Sequence, residues 1–158
     1  MDSIVKHGLK IDLHIHSCAS APKDGAKVKN NTIENLPLLM RKLDENGVNI
    51  CAITDHDTFS FEMYSALKKA ELDISSIKKV LPGVEFSVSF LDDDKKEQVI
   101  HVVTIFSDKE SERISNIETV LQKYRPGDNG AYTEESFLKV LREIALDTIL
   151  IAHQKNTL

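Results

Sequence analysis

Two kinds of apolar stretch alternate along the chain. Short runs rich in β-branched residues are typical of strands, as in LKIDLHIH (9–16), VNICAIT (48–54) and DTILIAH (147–153). Apolar residues at helical spacing separate them, in the segments 33–43, 59–70, 114–121 and 137–144. Because strands that alternate with helices form βαβ units, the sequence predicts an α/β fold with a mostly parallel sheet or barrel.

The middle of the chain departs from this alternation. A strand is predicted around VLPGVEF (80–86), and two further β-rich runs follow, VEFSVSFL (84–91) and QVIHVVTIF (98–106). The charged tract DDDKKE (92–97) separates these two runs and is typical of a turn. The pattern therefore predicts an antiparallel hairpin, or a β-ribbon inserted near 84–106.

Turn and cap residues suggest where the helices begin and end. The polar stretch Ser17–Asn31 contains proline and glycine and is predicted to be a loop. Thr32 or Asn35 is expected to cap the first long helix, and Gly47 to end it. Thr133 is the expected N-cap of the last helix, which carries two glutamates in its first turn.

Composition narrows the class of protein. A chain of 158 residues, 41% hydrophobic and 28% charged, is long enough for one domain, 1–158, with a substantial core. Its net charge of -5 argues against binding nucleic acid by charge alone. Two cysteines, and the absence of a long apolar segment, predict a reduced, cytoplasmic protein without a disulfide framework, a secretory signal or a membrane span.

The first strand carries an unusual row of polar residues. Asp12, His14 and His16 stand at every second position, so in a regular strand their side chains share one face. Ile11, Leu13 and Ile15 would then share the other. Such a polar face is costly to bury unless something binds it, and a divalent transition metal suits imidazole and carboxylate ligands. A solvent-facing strand edge is the alternative explanation.

Most other histidines fall at comparable places. Five of the six lie in or at the end of a strand-like run: His14, His16, His56, His101 and His153. Asp55 and His56 end the second strand, and Glu85 lies near the end of the third. The carboxyl ends of parallel strands form the active-site rim of α/β folds, which predicts that these groups converge.

Each of these residues alone has an ordinary explanation. His101 could be a hydrogen-bonded core histidine, 55–57 a polar strand end that caps the next helix, and Glu85 a surface carboxylate. Five histidines and several carboxylates at successive strands are together better explained by a metal centre.

These motifs, in this order, resemble the polymerase and histidinol phosphatase (PHP) family. The resemblance rests on DLHIHS (12–17), TDHD (54–57), PGVE (82–85), His101 and IAH (151–153). It implies a distorted (β/α)7 barrel with a two- or three-metal phosphoesterase centre at the carboxyl ends of its strands. The chain is similar in particular to the PHP modules of TrlF-type PHP–ATPase fusion proteins.

The resemblance also implies a set of metal ligands. His14 and His16 would bind the first metal, and Glu85 would bridge the first and second metals. His101 and His153 would complete the second metal site.

His56 would belong to a third metal site, for which Asp24 is a weak substitute for the family's further ligand. Asp12 would not bind metal itself but would orient one of the metal-binding imidazoles by a hydrogen bond. Asp55 would act in the same way, and Asp55 and Glu85 are the candidate catalytic residues.

The chain departs from the family at its far end. The family's last motif, an Asp-x-His downstream of the Ala-His strand, has no counterpart before Leu158. About five strands are counted where the family has seven. We therefore expect an incomplete barrel with two unpaired edges, a weak third metal site, and either self-association or contact with a missing C-terminal portion.

The expected chemistry is hydrolysis of phosphate mono- or diesters by a metal-bound hydroxide, with zinc, manganese or iron at two or three sites. The substrate would be a phosphate ester, nucleic acid included, and no membrane is involved. Ser17 and Cys18 would have no catalytic role. The alternative is a metal-binding module with a structural or regulatory role in a larger ATPase- or nucleic-acid-associated assembly.

Overall fold

The computed structural model describes residues 8–153. Six strands are found in this part of the chain: β1 (Ile11–Ile15), β2 (Ile50–Ile53), β3 (Lys79–Leu91), β4 (Glu97–Phe106), β5 (Tyr132–Thr133) and β6 (Thr148–His153). They are joined by helices α1 (Ala21–Asp24), α2 (Leu36–Glu45), α3 (Phe61–Lys68), α4 (Ala70–Asp73), α5 (Ser111–Lys123) and α6 (Glu134–Ile144). The predicted α/β class is confirmed.

The strands form one mixed sheet in the order β1-β2-β3-β4-β6, with the short β5 beside β3. Strands β1, β2 and β3 are parallel, whereas β4 is antiparallel to both β3 and β6. The connection 92–96 is too short for a crossover helix, so the chain returns as a hairpin. The predicted ribbon is confirmed, and its pairs run from Gly83 with Ile105 to Leu91 with Glu97.

The predicted third strand and the first ribbon strand are one continuous strand, β3. Its first residues, Lys79 to Pro82, pair with β2, and the residues from Gly83 onward pair with β4. Glu85 therefore lies in the middle of a strand, not near its end. It stands just beyond β2, where an isolated parallel bridge joins it to His56.

The sheet curls into a half-barrel. Strands β1 and β6 stand at opposite ends of the strand order, yet the rings of His14 on β1 and His153 on β6 lie 4.7 Å apart. Strand β1 also approaches β4 across the hollow. This curvature brings side chains from the two ends of the sheet to one place.

The helices cover the convex face and bury the main core against it. From β3, Phe86 is fully buried and packs edge-to-face on Phe137 of α6, with ring centroids 5.1 Å apart. Helix α5 buries Ile114, Ile117 and Leu121, which belong to the segment 114–121 whose apolar spacing predicted a helix. A smaller apolar cluster lies apart from this core: Leu13, Ala52, Leu81, Val103 and Ile105.

Helix boundaries follow the predicted caps in part. Thr133 Oγ1 accepts a hydrogen bond from Ser136 N and caps α6 as predicted. Helix α2 begins after Asn35 rather than Thr32. The helix predicted from residue 59 begins at Phe61, because Ser60 accepts a hydrogen bond from the amide of Met63.

The segment predicted as a loop, Ser17–Asn31, contains helical turns at Cys18–Ser20, Ala21–Asp24 and Gly25–Lys27. They fold this segment back over the ends of β1 and β2, which is where the candidate ligands lie. No helix among residues 8–153 has the length and apolar character needed to cross a bilayer.

Candidate metal centre

One buried carboxylate, that of Glu85, lies at the centre of four imidazoles. Its Oε2 atom is 3.1 Å from His14 Nε2, 2.9 Å from His16 Nε2 and 3.2 Å from His56 Nδ1. Its Oε1 atom is 2.8 Å from His101 Nδ1. The side chain of Glu85 is only 1% exposed, so its charge depends on these neighbours. The convergence predicted for these five residues is confirmed.

A backbone irregularity at the end of β1 helps to place the first two histidines. The register with β2 shifts between Asp12 and Ile15, so the simple alternation expected of this strand is interrupted. Leu13 consequently packs against the smaller apolar cluster, whereas Ile15 packs against the main core. The prediction that these two apolar residues share one face is wrong, although His14 and His16 both reach Glu85.

Strand β3 approaches its neighbours closely just before Glu85. A Cβ atom at Gly83 would lie 2.6 Å from Thr54 Cγ2 and 3.0 Å from Ile105 Cδ1. Thr54 is fully buried, so it has little room to move away. The missing side chain at position 83 therefore lets Glu85 stand next to His56.

Two ring nitrogens in the cluster are left without hydrogen bonds. Among the buried side-chain polar atoms of residues 8–153, His16 Nε2 and His56 Nδ1 are those that lack a partner. Both approach Glu85 Oε2, but neither meets the geometry of a hydrogen bond. Buried polar atoms are rarely unpaired, and imidazole lone pairs that converge with a carboxylate fit a divalent metal. The residues present thus suit a metal ion.

A second carboxylate, Asp24, lies on the other side of two of these rings. It contacts His16 Nδ1, and its Oδ1 atom is 3.4 Å from His56 Nε2. Three groups of side chains consequently have ligand atoms within 4.8 Å of one another: His14, His16 and Glu85; His16, Asp24 and His56; His56, Glu85 and His101. Asp24, expected to be only a weak substitute, is a full member of one group.

The charges of these residues depend on one another. Burial raises the pKa of Glu85, but its contacts with His14 and His16 outweigh burial and hold that pKa well below its ordinary value. Burial lowers the pKa of His16, but Glu85 and Asp24 more than reverse this and raise it. Burial prevails at His56, whose pKa is lowered. An ionised Glu85 and a neutral His56 are the forms that bind metals.

His153 lies beside the cluster but outside the three groups of ligand atoms. Its ring is 4.7 Å from that of His14, and it stands opposite His101 in the pairing of β6 with β4. His153 is therefore a neighbour of the cluster, and its role as a ligand of a second metal stays a prediction.

The two aspartates expected to orient imidazoles have other partners. Asp55 Oδ1 accepts hydrogen bonds from Ser17 N and Ser20 Oγ, both at 2.7 Å, and Asp55 Oδ2 accepts one from Ser17 Oγ at 2.5 Å. Asp12 Oδ1 accepts a bond from the backbone amide of His14 at 3.3 Å. The structure therefore gives Asp55 a role in holding the segment that follows β1, and its predicted catalytic role stays a prediction.

Comparison with known proteins does not assign a family. No protein-family model matches the chain. Over 84 residues the chain is 32% identical to glutamine–fructose-6-phosphate aminotransferase (isomerizing) of Fusobacterium nucleatum subsp. nucleatum. The match covers 53% of this chain but only 14% of that enzyme, so the chain is similar to a small part of it.

Proposed function

We propose that this chain is a metal-dependent phosphoesterase of the PHP type. The observation that carries the proposal is the single carboxylate of Glu85 surrounded by His14, His16, His56 and His101, with two of their ring nitrogens free of hydrogen bonds. Clusters of imidazoles joined by a shared carboxylate are suited to adjacent divalent ions, which is the arrangement of many phosphoesterases.

Two groups of these residues would each bind one metal ion. His14, His16 and Glu85 would bind one ion, and His56, Glu85 and His101 an adjacent one, with Glu85 common to both groups. Nitrogen-rich ligation favours zinc, manganese or iron over magnesium. When bound, such ions would act as Lewis acids toward water and toward a phosphoryl oxygen.

The sheet holds the ligands in place and leaves them partly exposed, so that a phosphate ester can approach them. Because His14, Glu85 and His101 lie in β1, β3 and β4, their relative positions are set by the backbone hydrogen bonds of the sheet, and an isolated bridge joins His56 to Glu85. His14 and His101 are about a third and a quarter exposed, which leaves part of the cluster accessible to solvent. Neither Ser17 nor Cys18 is needed as a nucleophile in this scheme.

Hydrolysis of an aryl phosphate by the purified protein tests this proposal. We expect activity that EDTA abolishes and that Mn²⁺ or Zn²⁺ restores. Glu85→Gln should lose both activity and most bound metal, because an amide is neutral and bridges two ions poorly. Glu112→Gln, an exposed glutamate on α5, is the matched control and should retain both. Cys18→Ser should also remain active.

Two outcomes would contradict the proposal. Hydrolysis that persists in EDTA would exclude a metal-dependent reaction, and a Glu85→Gln variant with wild-type metal content would exclude the assigned ligands. The weak match to an aminotransferase covers too little of that enzyme to enter this argument.

A structural role for the metal is the second candidate, and one contact favours it. Asp24 belongs to the helical segment after β1 and meets His16 and His56, so an ion there would fasten this segment to the sheet. In that case removal of metal would lower the free energy of unfolding without any hydrolysis having been present. Thermal unfolding with and without EDTA, beside the hydrolysis assay, separates the two candidates.

A further inference from the structure

A second feature lies next to the centre, on the side of His56. An open cavity of about 360 Å³ is bounded there by the segment after β1, the residues after β2 and the loop that follows α5. Its wall includes Lys23, His56, Asp57, Thr58 and Arg125. The cavity shares His56 with the candidate metal centre, so a molecule bound at the centre can extend into it.

The acidic residue of this wall is already neutralised. Asp57 Oδ1 accepts a hydrogen bond from Ser87 N at 2.8 Å, and Asp57 Oδ2 accepts bonds from Ser87 Oγ and from Lys23 Nζ, at 3.1 and 2.5 Å. Lys23 Nζ also donates to Ser87 Oγ at 2.6 Å. An ammonium group has three N–H donors, so Lys23 keeps one for a ligand.

Arg125 contributes a charge that is not neutralised. No carboxylate among residues 8–153 pairs with its exposed guanidinium. The backbone on both sides of Arg125 is held by hydrogen bonds: Tyr132 OH donates to Tyr124 O at 2.7 Å, and Gly127 N donates to Ala131 O at 2.9 Å. A guanidinium with five donors, lining the same cavity as the ammonium group of Lys23, suits a phosphate group.

We propose that Lys23 and Arg125 bind a second phosphate group of the substrate, while its scissile phosphate lies at the histidine cluster. The inference deepens the proposed phosphoesterase activity and rests on it for the identity of the substrate. The preferred substrates are therefore phosphate esters with two phosphate groups, and Arg125 determines this preference. The cavity has room for a phosphate together with the few atoms that join it to the reacting group.

Phosphonates provide the test, because their carbon–phosphorus bond is not a substrate for phosphoester hydrolysis. Propane-, butane- and pentane-α,ω-diphosphonate are compared with propyl-, butyl- and pentylphosphonate by titration calorimetry of the Mn²⁺-loaded protein. We expect at least one diphosphonate to bind about tenfold more tightly than its partner with one phosphonate. Arg125→Gln should remove this preference and leave the affinity for the monophosphonate unchanged.

Arg142→Gln is the matched control, because Arg142 is an exposed arginine on α6 and does not line the cavity. Lys23→Gln should weaken the preference as well, with metal content measured beside it because Asp24 is adjacent. Equal affinity for both members of every pair, or a preference that survives Arg125→Gln, overturns the inference. A preference that depends on Arg125 in a protein that hydrolyses no phosphate ester upholds the subsite and rejects the phosphoesterase.

Discussion

At the scale of single residues, four imidazoles surround Glu85, but only two of them form a hydrogen bond with its carboxylate. Its two oxygens receive hydrogen bonds from His14 and His101, and its contacts with His14 and His16 hold its pKa well below the ordinary value. His16 and His56 approach the same carboxylate but gain no hydrogen bond to it. Their unpaired nitrogens are buried at a cost that a metal ion would remove, because the ion accepts their lone pairs.

Asp24 provides a prediction that separates the groups of ligands. It is the one carboxylate of the group formed with His16 and His56, whereas Glu85 belongs to the other two groups. Asp24→Asn should therefore lose the metal bound by its own group and keep the metal bound by the groups of Glu85. The measurement is the metal content after dialysis, compared with that of Glu85→Gln.

Asp93→Asn, at the tip of the hairpin between β3 and β4, is the control for the change of an aspartate to its amide. It should bind as much metal as the wild type. Equal losses in Asp24→Asn and Glu85→Gln would mean that the three groups act as one site rather than as separable ones.

At the scale of elements, the segment between β1 and α2 is held in place by one residue that follows β2. Asp55, directly after β2, accepts three hydrogen bonds from Ser17 and Ser20, and all three residues are buried. The sequence indicated that Asp55 lies at the ligand-bearing edge, but it could not indicate which donors would fold back onto it. Two serines in a predicted loop carry no pattern that identifies a distant acceptor.

Asp55→Ala should destabilise the protein by about 3 kcal/mol, because it leaves a backbone amide and two hydroxyls buried without their acceptor. Urea denaturation gives the free energy of unfolding, and amide hydrogen exchange should rise in residues 17–27. Asp73→Ala, an exposed aspartate in α4, should change neither quantity. If Asp55 were chiefly catalytic, hydrolysis would fall in Asp55→Ala while stability and exchange stayed at the wild-type level.

At the scale of the whole molecule, the strand and helix alternation predicted the sheet up to β3, and the hairpin signal predicted β4. The two runs predicted at 80–86 and 84–91 are one strand of 13 residues, and their union was not predictable because a proline and a glycine weaken the signal of a continuous strand. The proximity of His14 and His153 was predicted only as a general convergence of strand ends, whereas the 4.7 Å between their rings arises from the curl of the sheet.

Among residues 8–153, β1 and β6 are the two ends of the strand order, and the last prediction concerns β6. Ile149, Leu150 and Ile151 are all exposed on this strand, Ile149 by 64%, beside the unpaired backbone groups of an edge. We expect a second copy of the chain to cover this edge, so the mass from static light scattering should rise with concentration in the micromolar range. Ile149→Lys should suppress the rise, because a lysine resists burial at such a contact.

Leu72→Lys is the control, because it replaces a 90% exposed leucine of α4 away from both edges, and it should associate like the wild type. A constant monomer mass in all three proteins, or equal suppression by both substitutions, would show that β6 is not the contact.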